Sequence, residues 1–452
     1  MLTFAISALT LFFVLFILRA KRPAGTNLAW ILLILAFPYI GIPFYLMLGA
    51  RKFPIQFFKN KSQSNFHFKK KFDFELLGIQ RILSEACMPK SKGNDFIELV
   101  TNGEQAFSKN RDLIQSAKKS IFVSTFILGN DPVAKALIES LTEKAGSGVD
   151  VRVLIDSLST MVLGQPSLKM FKKSGGKVAY FMPIFHLPLR GMFNLRNHRK
   201  LLIVDGQFSI LGGMNLTEDY MGPEINEKRW VDLVLTIQGA CVSDLQNIFL
   251  QDWDFATGKT NHSDIEEPNI ESNKRGQFAQ VIASGPDVVG DPLYDVLLSS
   301  IHLAKSEIQI VTPYFIPDES LAKALELAAK RGVKVQILVP RRSNHILADF
   351  ARGSFIRQLE SAGVEFNFYN EMIHAKAVLI DNAYGIFGSA NFDMRSLLIN
   401  YELGLLVYDE TILRQVKKWI EACLVRSTQG YPKEIFWLQI TEGIGRIIGP
   451  LI

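Results

Sequence analysis

The chain has 452 residues, which is enough for two sizeable hydrophobic cores. Its three cysteines, Cys87, Cys241 and Cys423, show neither a CxxC nor another paired spacing, so the composition indicates neither a zinc site nor a disulfide framework. The formal net charge is +6, yet residues 51–71 alone carry +7 and leave about −1 for the remainder, which argues against a nuclease because polyanion binding needs a basic footprint on the body itself.

Two apolar segments begin the chain. Residues 2–18 and 28–50 contain no charged side chain. As helices, the first would span about 25 Å and the second would be longer, so both are predicted to be membrane segments. The first is not expected to be a cleaved signal peptide, because its positive charges follow the apolar run instead of preceding it. Residues 1–50 are therefore predicted to form a membrane anchor.

The orientation of this anchor is left with two solutions. Seven basic residues follow the second segment, against three in the short loop before it, so positive charge places the catalytic body in the cytoplasm. The loop charges favour the same side, however, and a second segment that spans the membrane would separate the two groups. Pro38, Gly41 and Pro43 allow the alternative, in which the second segment breaks and re-enters as a hairpin.

The basic stretch, residues 51–71, is interleaved with five phenylalanines and contains no acidic residue. Cations and aromatic rings beside an apolar segment suit an anionic membrane surface. The alternative is a solvated linker whose phenylalanines are incidental. With either interpretation, residues 51–95 are predicted to connect the anchor to the body.

The body consists of two related halves. Residues 148–155 match residues 332–339, and each stretch follows an amphipathic helical segment. A helix followed by an apolar strand, repeated, predicts α/β layers around a largely buried sheet. The predicted fold class is α/β, with two α/β/α repeats packed face to face about a pseudo-twofold axis and preceded by the two membrane segments. The first repeat is predicted over 96–253 and the second over 277–452, joined by a polar, acidic linker at 254–276.

A short pattern occurs once in each half with equal internal spacing. It runs His-x-Lys-x4-Asp and is followed, after six residues, by a small-residue turn and an asparagine. The residues are His198, Lys200, Asp205 and Asn215 in the first copy and His374, Lys376, Asp381 and Asn391 in the second. Both copies contain an apolar run typical of a buried strand, on which a His and a Lys two positions apart point to the same face.

These side chains suit phosphoryl transfer. Two imidazoles and two ammonium groups at one point can transfer a phosphoryl group without a metal, so neither a metal nor another cofactor is predicted. A second short strand in each half, at 209–211 or 385–387, returns the turn and its asparagine to the phosphate. The copies differ because Ser389 supplies a hydroxyl where the first copy has Gly213. Asn215, Asn391 and Ser389 are the predicted phosphate-binding side chains.

The first half contains about a dozen residues that the second lacks, residues 182–193. The segment is apolar yet interrupted by proline and glycine. Because loops normally run over the surface, we predict that it forms a lipid-contacting lip of the cleft between the halves. The alternative is a buried loop that covers the sheet.

The doubled pattern resembles the HKD signature of the phospholipase D superfamily. The surrounding sequence is similar to the bacterial cardiolipin synthase branch, and the resemblance covers most of the chain. The stretches that carry it are 196–200, 212–216, 312–317, 331–333 and 389–396. The resemblance implies a covalent phosphohistidine intermediate, with His198 as the nucleophile and His374 as the acid and base.

The resemblance also implies the supporting residues. In this superfamily an acidic residue downstream of the asparagine orients each histidine, and the similar positions here are Asp232 and Glu402. Asp205 and Asp381 complete the predicted catalytic signature, and their expected part in it is structural, tying the strand to the turn.

The activity that the resemblance implies is that of a membrane-bound phosphatidyltransferase. It would move a phosphatidyl group from one phosphatidylglycerol to another, giving cardiolipin and glycerol in an anionic membrane, with neither a nucleic acid nor an obligatory protein partner. Two departures bear on acceptor recognition: the strand at 120–127 lacks an acidic residue often found in related synthases, and Asn344 stands where an Asp is usual. A phospholipase D hydrolase, a transferase with another donor or acceptor, a membrane-tethered nuclease and a non-catalytic lipid-binding protein stay open as alternatives.

Overall fold

A computed structural model of the chain describes residues 2–19, 24–49, 52, 74–159, 167–182, 194–258, 270–431, 441–443 and 445–446. Two predicted features therefore lie outside the described residues. They are the basic stretch 51–71, apart from Lys52, and the insertion 182–193, apart from Met182. The predicted linker 254–276 is described only at its two ends.

The N-terminal apolar segments form three helices, α1 (Leu2–Leu18), α2 (Ala24–Ala36) and α3 (Pro38–Leu48). The second segment breaks at Phe37, because Pro38 starts α3 and disfavours a helical conformation in the residue before it. Gly41 lies so close to α2 that a Cβ atom there would be 2.9 Å from the Cα atom of Ile34. The two helices therefore fold back on each other. Within the described part of the chain, no helix has both the length and the apolar character needed to cross a membrane.

The first half of the body follows α4 (Phe74–Glu85) and alternates strands with helices. Its elements are β1 (Lys92–Val100), α5 (Gly103–Ser116), β2 (Ser120–Thr125), α6 (Pro132–Gly146), β3 (Asp150–Asp156), α7 (Ser167–Lys173), β4 (Lys177–Phe181), β5 (Leu201–Val204), β6 (Phe208–Gly212), β7 (Val234–Gly239) and α8 (Cys241–Thr257). Side-chain caps fix the helix starts. Asn102 accepts hydrogen bonds from the N–H groups of Glu104 and Gln105, and Asp131 accepts one from Ala134.

The second half repeats this order and adds four short elements, three within it and one at its end. Its elements are β8 (Gln277–Ser284), α9 (Pro292–Leu303), β9 (Glu307–Val311), β10 (Phe315–Ile316), α10 (Glu319–Lys330), β11 (Lys334–Pro340), α11 (Ile346–Glu360), β12 (Glu365–Tyr369), β13 (Ala377–Ile380), β14 (Tyr384–Gly388), β15 (Phe392–Asp393), α12 (Met394–Leu398), β16 (Glu402–Val407), α13 (Glu410–Val425) and β17 (Ser427–Gln429). The matched strands predicted at 148–155 and 332–339 correspond to β3 and β11.

The strands of both halves form one sheet, which has 15 strands within the described residues. From the centre outward, the first half has the order β1-β7-β6-β5-β2-β3-β4. The second half has the corresponding order β8-β16-β14-β13-β9-β11-β12, with β17 at its far edge. The two predicted repeats are therefore present and share one topology.

The halves meet edge to edge, and the predicted face-to-face packing is wrong. Residues 92–94 of β1 pair antiparallel with residues 277–279 of β8, so the two half-sheets continue into each other. This pairing satisfies the N–H and C=O groups that two free edge strands would expose. Isolated bridges between Asn197 and Tyr401 and between Val231 and Ile373 also join the halves. They bring the chain just before each histidine against the opposite half.

The motif strands are shorter than predicted. β5 and β13 begin one residue after Lys200 and Lys376, so the histidines and lysines lie in extended segments just before the regular sheet. The returning strands β6 and β14 are present as predicted and pair antiparallel with β5 and β13. This register returns each small-residue turn to the end of the strand where its histidine lies.

Candidate active site

Each histidine is held by the half of the molecule that does not contain it. The His198 N–H donates to the Tyr401 carbonyl at 2.9 Å, and the His374 N–H donates to the Val231 carbonyl at 2.7 Å. Both side chains are buried, with 9% and 4% of their residue surface exposed. The backbone of one half therefore sets the position of the imidazole contributed by the other.

Each histidine is also oriented by a carboxylate from the opposite half. Nδ1 of His198 lies 2.9 and 3.1 Å from the two carboxylate oxygens of Glu402, and Nδ1 of His374 lies 2.9 Å from Oδ2 of Asp232. Glu402 and Asp232 are buried. Because a carboxylate holds the Nδ1 side of each ring, the Nε2 atoms are the ones that remain for the reaction.

The lysines are buried beside the histidines. Nζ of Lys200 donates to the His198 carbonyl at 2.8 Å, while Nζ of Lys376 lies 2.6 Å from Nδ1 of His374. Burial lowers the pKa of Lys376 to about 8 and holds that of Lys200 well below its usual value. An anionic phosphate would favour the positively charged form of both lysines, because an opposite charge stabilises the ionised state.

The two motifs form a single electrostatic site. Lys376 of the second copy helps to lower the pKa of His198, and both Lys200 and His198 of the first copy help to lower that of His374. Charges shift the pKa of one another in this way only when they share one local environment. The groups therefore titrate together.

The two His–carboxylate pairs differ in protonation. Burial raises the pKa of Asp232 to about 7, although Lys376, the Leu233 N–H and Lys200 act against it. Burial also disfavours ionised Glu402, but His198, Lys200 and Ser389 outweigh burial and hold its pKa below the usual value. The Asp232–His374 pair therefore favours a protonated carboxyl more than the Glu402–His198 pair does.

The pKa of each histidine is also lowered. Burial is the largest cause for both, bringing the pKa of His198 to about 4 and that of His374 well below its usual value. His198 is thus a neutral imidazole beside an ionised carboxylate. A neutral ring with a free Nε2 lone pair is the state that a nucleophile requires.

The predicted phosphate-binding side chains have different surroundings. Asn215 accepts from the Ile127 N–H at 3.1 Å and donates to the Tyr220 hydroxyl at 3.1 Å. The Ser389 hydroxyl donates to Glu402 and accepts from the Leu403 N–H at 3.0 Å. The hydrogen bonds of Ser389 therefore stabilise Glu402, the carboxylate that orients His198. The carbonyl oxygen of Asn391 is buried and has no hydrogen-bond partner among the described residues.

The glycine that replaces Ser389 in the first copy has a steric reason. A Cβ atom on Gly213 would lie 2.4 Å from Oδ1 of Asp232, which is closer than any side chain allows. The first copy therefore has no room for a hydroxyl between its turn and the orienting carboxylate. The missing hydroxyl accounts in part for the higher pKa of Asp232, because Ser389 stabilises the ionised form of Glu402.

Asp205 and Asp381 lie at the other ends of the motif strands. Asp205 accepts the N–H groups of residues 118–120, and Asp381 accepts those of residues 305–307, at distances of 2.7 and 2.8 Å. Both have a left-handed backbone, with φ of 52° and 51°. Five residues of extended chain place each about 16 Å from its lysine. The structure therefore separates them from the reaction centre, and within the signature they tie strand to turn.

We expect Asp381→Asn to lower the free energy of unfolding by about 2 kcal/mol while preserving turnover per folded molecule, since hydrogen bonds to a charged group are lost. Asn tolerates the left-handed backbone, which isolates the effect of charge. Burial opposes ionisation, but the N–H groups of Glu307, Lys305 and Ser306 outweigh it and hold the pKa of Asp381 below its unfolded value. The difference in unfolding free energy between the two proteins should be largest above pH ~4. It should become smaller as the pH falls further. Urea unfolding across pH measures it, and a deficit that grows in acid would contradict the assignment.

Three aromatic side chains at the site were missed by the sequence analysis. The Tyr220 hydroxyl lies 3.4 Å from Nε2 of His374, and the Trp230 ring packs against the same imidazole. Phe126 meets His198 edge-on at a ring distance of 5.1 Å. The sequence offers one indication of this role for Tyr220. It lies five residues after Asn215, and the corresponding residue of the second copy, five after Asn391, is Ser396. The site is therefore unequal, with a hydroxyl at Nε2 of His374 and a hydrocarbon ring beside the His198 imidazole.

An open cleft of about 1240 Å³, solvent at its mouth included, leads to this site. His198 lines the cleft and His374 does not. Its lining includes the apolar residues Phe126, Ile127, Leu158 and Ile316, called its walls below, and the polar residues Arg196, Arg395, Ser396 and Asn400, called its floor below, together with Asp393. Tyr314 also lines the cleft, and its hydroxyl donates to the side chain of Asn344 at 2.5 Å. Asn344 is the residue at which the sequence departs from the related synthases.

Among the described residues, no group of three His, Cys, Asp or Glu side chains is placed to hold a metal ion.

The topology, the two His–Lys motifs and the His–carboxylate pairs that cross between the halves define a double-motif, phospholipase D-like protein. Residues 111–253 and 297–424 match the family described as "Cardiolipin synthase, PLD-like domain", and residues 8–49 match "Phospholipase_D-nuclease N-terminal". The chain belongs to the phospholipase D-like cardiolipin synthase family.

Relatives of similar length support this membership. The major cardiolipin synthase ClsA of Bacillus subtilis (strain 168) is 30% identical, with 98% of each chain covered. Cardiolipin synthase 1 of Bacillus cereus is 31% identical, with 97% of this chain and 91% of the relative covered. Among solved structures, the phosphatidylserine synthase of Haemophilus influenzae Rd KW20 has a TM-score of 0.64 at 16% identity and covers 83% of this chain and all of that one. That likeness concerns the fold.

Proposed function

We propose that this chain is a cardiolipin synthase, which transfers a phosphatidyl group from one phosphatidylglycerol to the terminal hydroxyl of another and releases glycerol. The observation that carries the proposal is a pair of buried histidines, each fixed at Nδ1 by a carboxylate of the opposite half, beside a cleft with apolar walls and a polar floor. Full-length similarity to curated cardiolipin synthases supports the lipid substrate.

In the first step, Nε2 of His198 attacks the phosphorus of phosphatidylglycerol and the bond from phosphorus to the headgroup oxygen breaks. His374 donates a proton to that oxygen, and glycerol leaves. In the second step, the hydroxyl of another phosphatidylglycerol attacks the phosphorus, His374 accepts its proton, and the bond from phosphorus to nitrogen breaks. Lys200 and Lys376 stabilise the negative charge on the phosphoryl oxygens, with Asn215 and Asn391 as additional ligands.

Two independent features support His198 as the nucleophile. The cleft reaches His198, while Tyr220 and Trp230 pack against His374. Burial raises the pKa of Asp232 to about 7, so the Asp232–His374 pair binds a proton more readily than the Glu402–His198 pair and is the better source of the proton that a leaving alkoxide needs. Ionised Glu402 instead keeps the His198 proton on Nδ1. The same unequal pair serves both steps, with His374 as acid and then as base.

We also propose that the protein works at a membrane surface, with residues 1–50 as its anchor and α2–α3 as a re-entrant hairpin. Support comes from the break at Phe37 and from exposed apolar side chains on these helices, including Phe4 (81%), Leu11 (60%) and Tyr39 (70%). The body has a second apolar surface on the first turns of α11. Ile346 and Leu347 are exposed there by 71% and 57%, while their neighbour Ala348 lines the cleft. The mouth of the cleft would thus face the lipid.

The double substitution Ile346→Glu and Leu347→Glu should raise, by roughly tenfold, the surface density of phosphatidylglycerol that gives the half-maximal rate, since apolar side chains would no longer enter the bilayer. The reaction with a water-soluble phosphodiester should not change. Vesicles with graded phosphatidylglycerol content provide the measurement. Leu327→Glu, an exposed leucine on α10, is the control, and an equal effect of that substitution would contradict this orientation.

The function is tested with the purified full chain in phosphatidylglycerol vesicles and by lipid analysis after expression in a host that lacks cardiolipin. We expect cardiolipin and glycerol in equal amounts. Release of phosphatidic acid without cardiolipin would make the protein a hydrolase and overturn the proposal. Phosphatidylethanolamine vesicles distinguish another donor or acceptor.

A further inference from the structure

The cleft continues beyond His198 to polar side chains that the mechanism above does not use. Arg395, Ser396 and Asn400 lie on this part of the floor, all contributed by the turn and short helix after the second motif. The first copy has no equivalent cation. At the position of Arg395, four residues after the asparagine, it has Asp219. The polar floor is therefore a feature of one side of an otherwise repeated site.

Arg395 is a partly buried cation whose contacts leave its charge available. Its Nη1 and Nη2 groups donate to the side-chain oxygen and the backbone carbonyl of Asn194, at 2.7 and 3.0 Å. Asn194 is neutral, and none of the carboxylates in the described ranges forms an ion pair with Arg395. Asp393 also lines the cleft and its charge acts on Arg395, but burial raises the pKa of Asp393 and so disfavours its ionised form. The neighbouring Arg196 differs, because it is fully buried and its Nη1 lies 3.4 Å from Asp156. Asn194 thus fixes the Arg395 guanidinium without neutralising it.

Asn400 supplies a second, independent indication of a ligand. It is buried, with 6% of its surface exposed, and it lines the cleft. The side-chain carbonyl oxygen of Asn400, Oδ1, has no hydrogen-bond partner among the described residues. A buried acceptor without a partner is unfavourable, so such an atom in a cleft marks the place where a ligand hydroxyl or N–H would bind.

The second step of the reaction proposed above needs two phosphoryl groups in the cleft at once, one bonded to His198 and one in the acceptor. The donor phosphate occupies the histidines and lysines, while the acceptor brings a second phosphate one glycerol unit away from its attacking hydroxyl. That acceptor offers one negative charge and a free hydroxyl on the middle carbon. A fixed guanidinium and an unpartnered carbonyl oxygen are the groups that would recognise them.

We propose that Arg395, with Ser396 and Asn400, forms an acceptor subsite that binds the phosphodiester and middle hydroxyl of the second phosphatidylglycerol. This rests on the proposed function and deepens it. The subsite gives a lipid alcohol an advantage over water for the phosphatidyl-enzyme, because it holds the attacking hydroxyl near the phosphorus. It also means that the acceptor is selected by residues of the second half other than the histidines and lysines that act on the donor.

The test compares two acceptors that share one donor step. Purified full-length protein in phosphatidylglycerol vesicles is given labelled glycerol, and its exchange into the lipid is measured beside cardiolipin formation. Glycerol carries no phosphate. In Arg395→Gln the ratio of cardiolipin formation to glycerol exchange should fall roughly 10–100-fold, as expected when a charged hydrogen-bond donor to the acceptor is removed. Arg395→Lys should lose less, and Arg342→Gln, an exposed arginine outside this floor, should keep the wild-type ratio.

A second measurement uses the wild-type chain, so it does not depend on how a variant folds. With glycerol and glycerol 3-phosphate as competing soluble acceptors, the phosphorylated acceptor should be preferred at least about tenfold. Equal use of both acceptors, or an unchanged product ratio in Arg395→Gln, overturns the acceptor subsite. Glycerol exchange by wild-type protein that forms no cardiolipin would instead refute the proposed function.

Discussion

His198→Ala should lower cardiolipin formation by roughly 10⁶-fold, the scale of loss that follows removal of a covalent nucleophile. His374→Ala should abolish turnover of phosphatidylglycerol as well, because the leaving glycerol needs a proton. The two variants should differ with a phosphatidyl ester of p-nitrophenol, whose leaving group needs none. There, His374→Ala should still form the phosphatidyl-enzyme, while His198→Ala should not.

Rapid mixing of each variant with this ester measures the burst of p-nitrophenolate. We expect one equivalent per active site from His374→Ala, followed by slow release, and no burst from His198→Ala. Intact-mass analysis should find the phosphatidyl group on the His374→Ala protein, in a form labile to acid as a phosphohistidine is. A burst from His198→Ala and none from His374→Ala would reverse the two roles. Exposed His302→Ala controls for the loss of a histidine remote from the site.

The crossed carboxylates should have separable effects. Glu402→Gln and Asp232→Asn should each lower cardiolipin formation by roughly 10²–10⁴-fold, the range of acid–base contributions, because a neutral amide no longer fixes the ring or stabilises its charge. With the p-nitrophenyl ester, Glu402→Gln should lose the burst because its partner is the nucleophile His198. Asp232→Asn should keep the burst because its partner is His374.

This pattern tests the pairing directly. If each carboxylate oriented the histidine of its own half, Asp232→Asn would remove the burst and Glu402→Gln would preserve it. Ser389→Ala provides an intermediate case, because its hydroxyl donates to Glu402, and should slow formation of the phosphatidyl-enzyme without abolishing it. Circular dichroism and thermal unfolding of each variant establish that the buried substitutions leave a folded protein.

Much of the secondary structure follows from local patterns. The apolar runs after each lysine became β5 and β13, and the matched repeats became β3 and β11. The break in the second N-terminal segment follows from Pro38, because proline restricts the residue before it wherever it occurs. These features depend on neighbouring residues, which a single sequence displays.

The relation between the halves was predicted incorrectly for a physical reason. Alternation and apolar runs indicate that a strand is buried, but they do not identify the strand that it pairs with. β1 and β8 pair with each other although their paired residues lie nearly two hundred positions apart. Burial would be satisfied by two stacked sheets or by one continuous sheet, and backbone hydrogen bonding between the edge strands selects the second.

The sequence by itself determined the chemistry of this protein. Each His and Lys lies in one short string with its asparagine, and a duplicated string with equal spacing specifies which groups meet the phosphate. Only the tertiary structure decided which carboxylate serves which histidine and where the substrate enters. Glu402 lies 204 positions from His198 and Asp232 lies 142 from His374, so these contacts exist only once the halves have docked. Docking also placed Tyr220 on one imidazole and opened the cleft to the other, and in the proposed mechanism this inequality gives the two copies of the motif different roles.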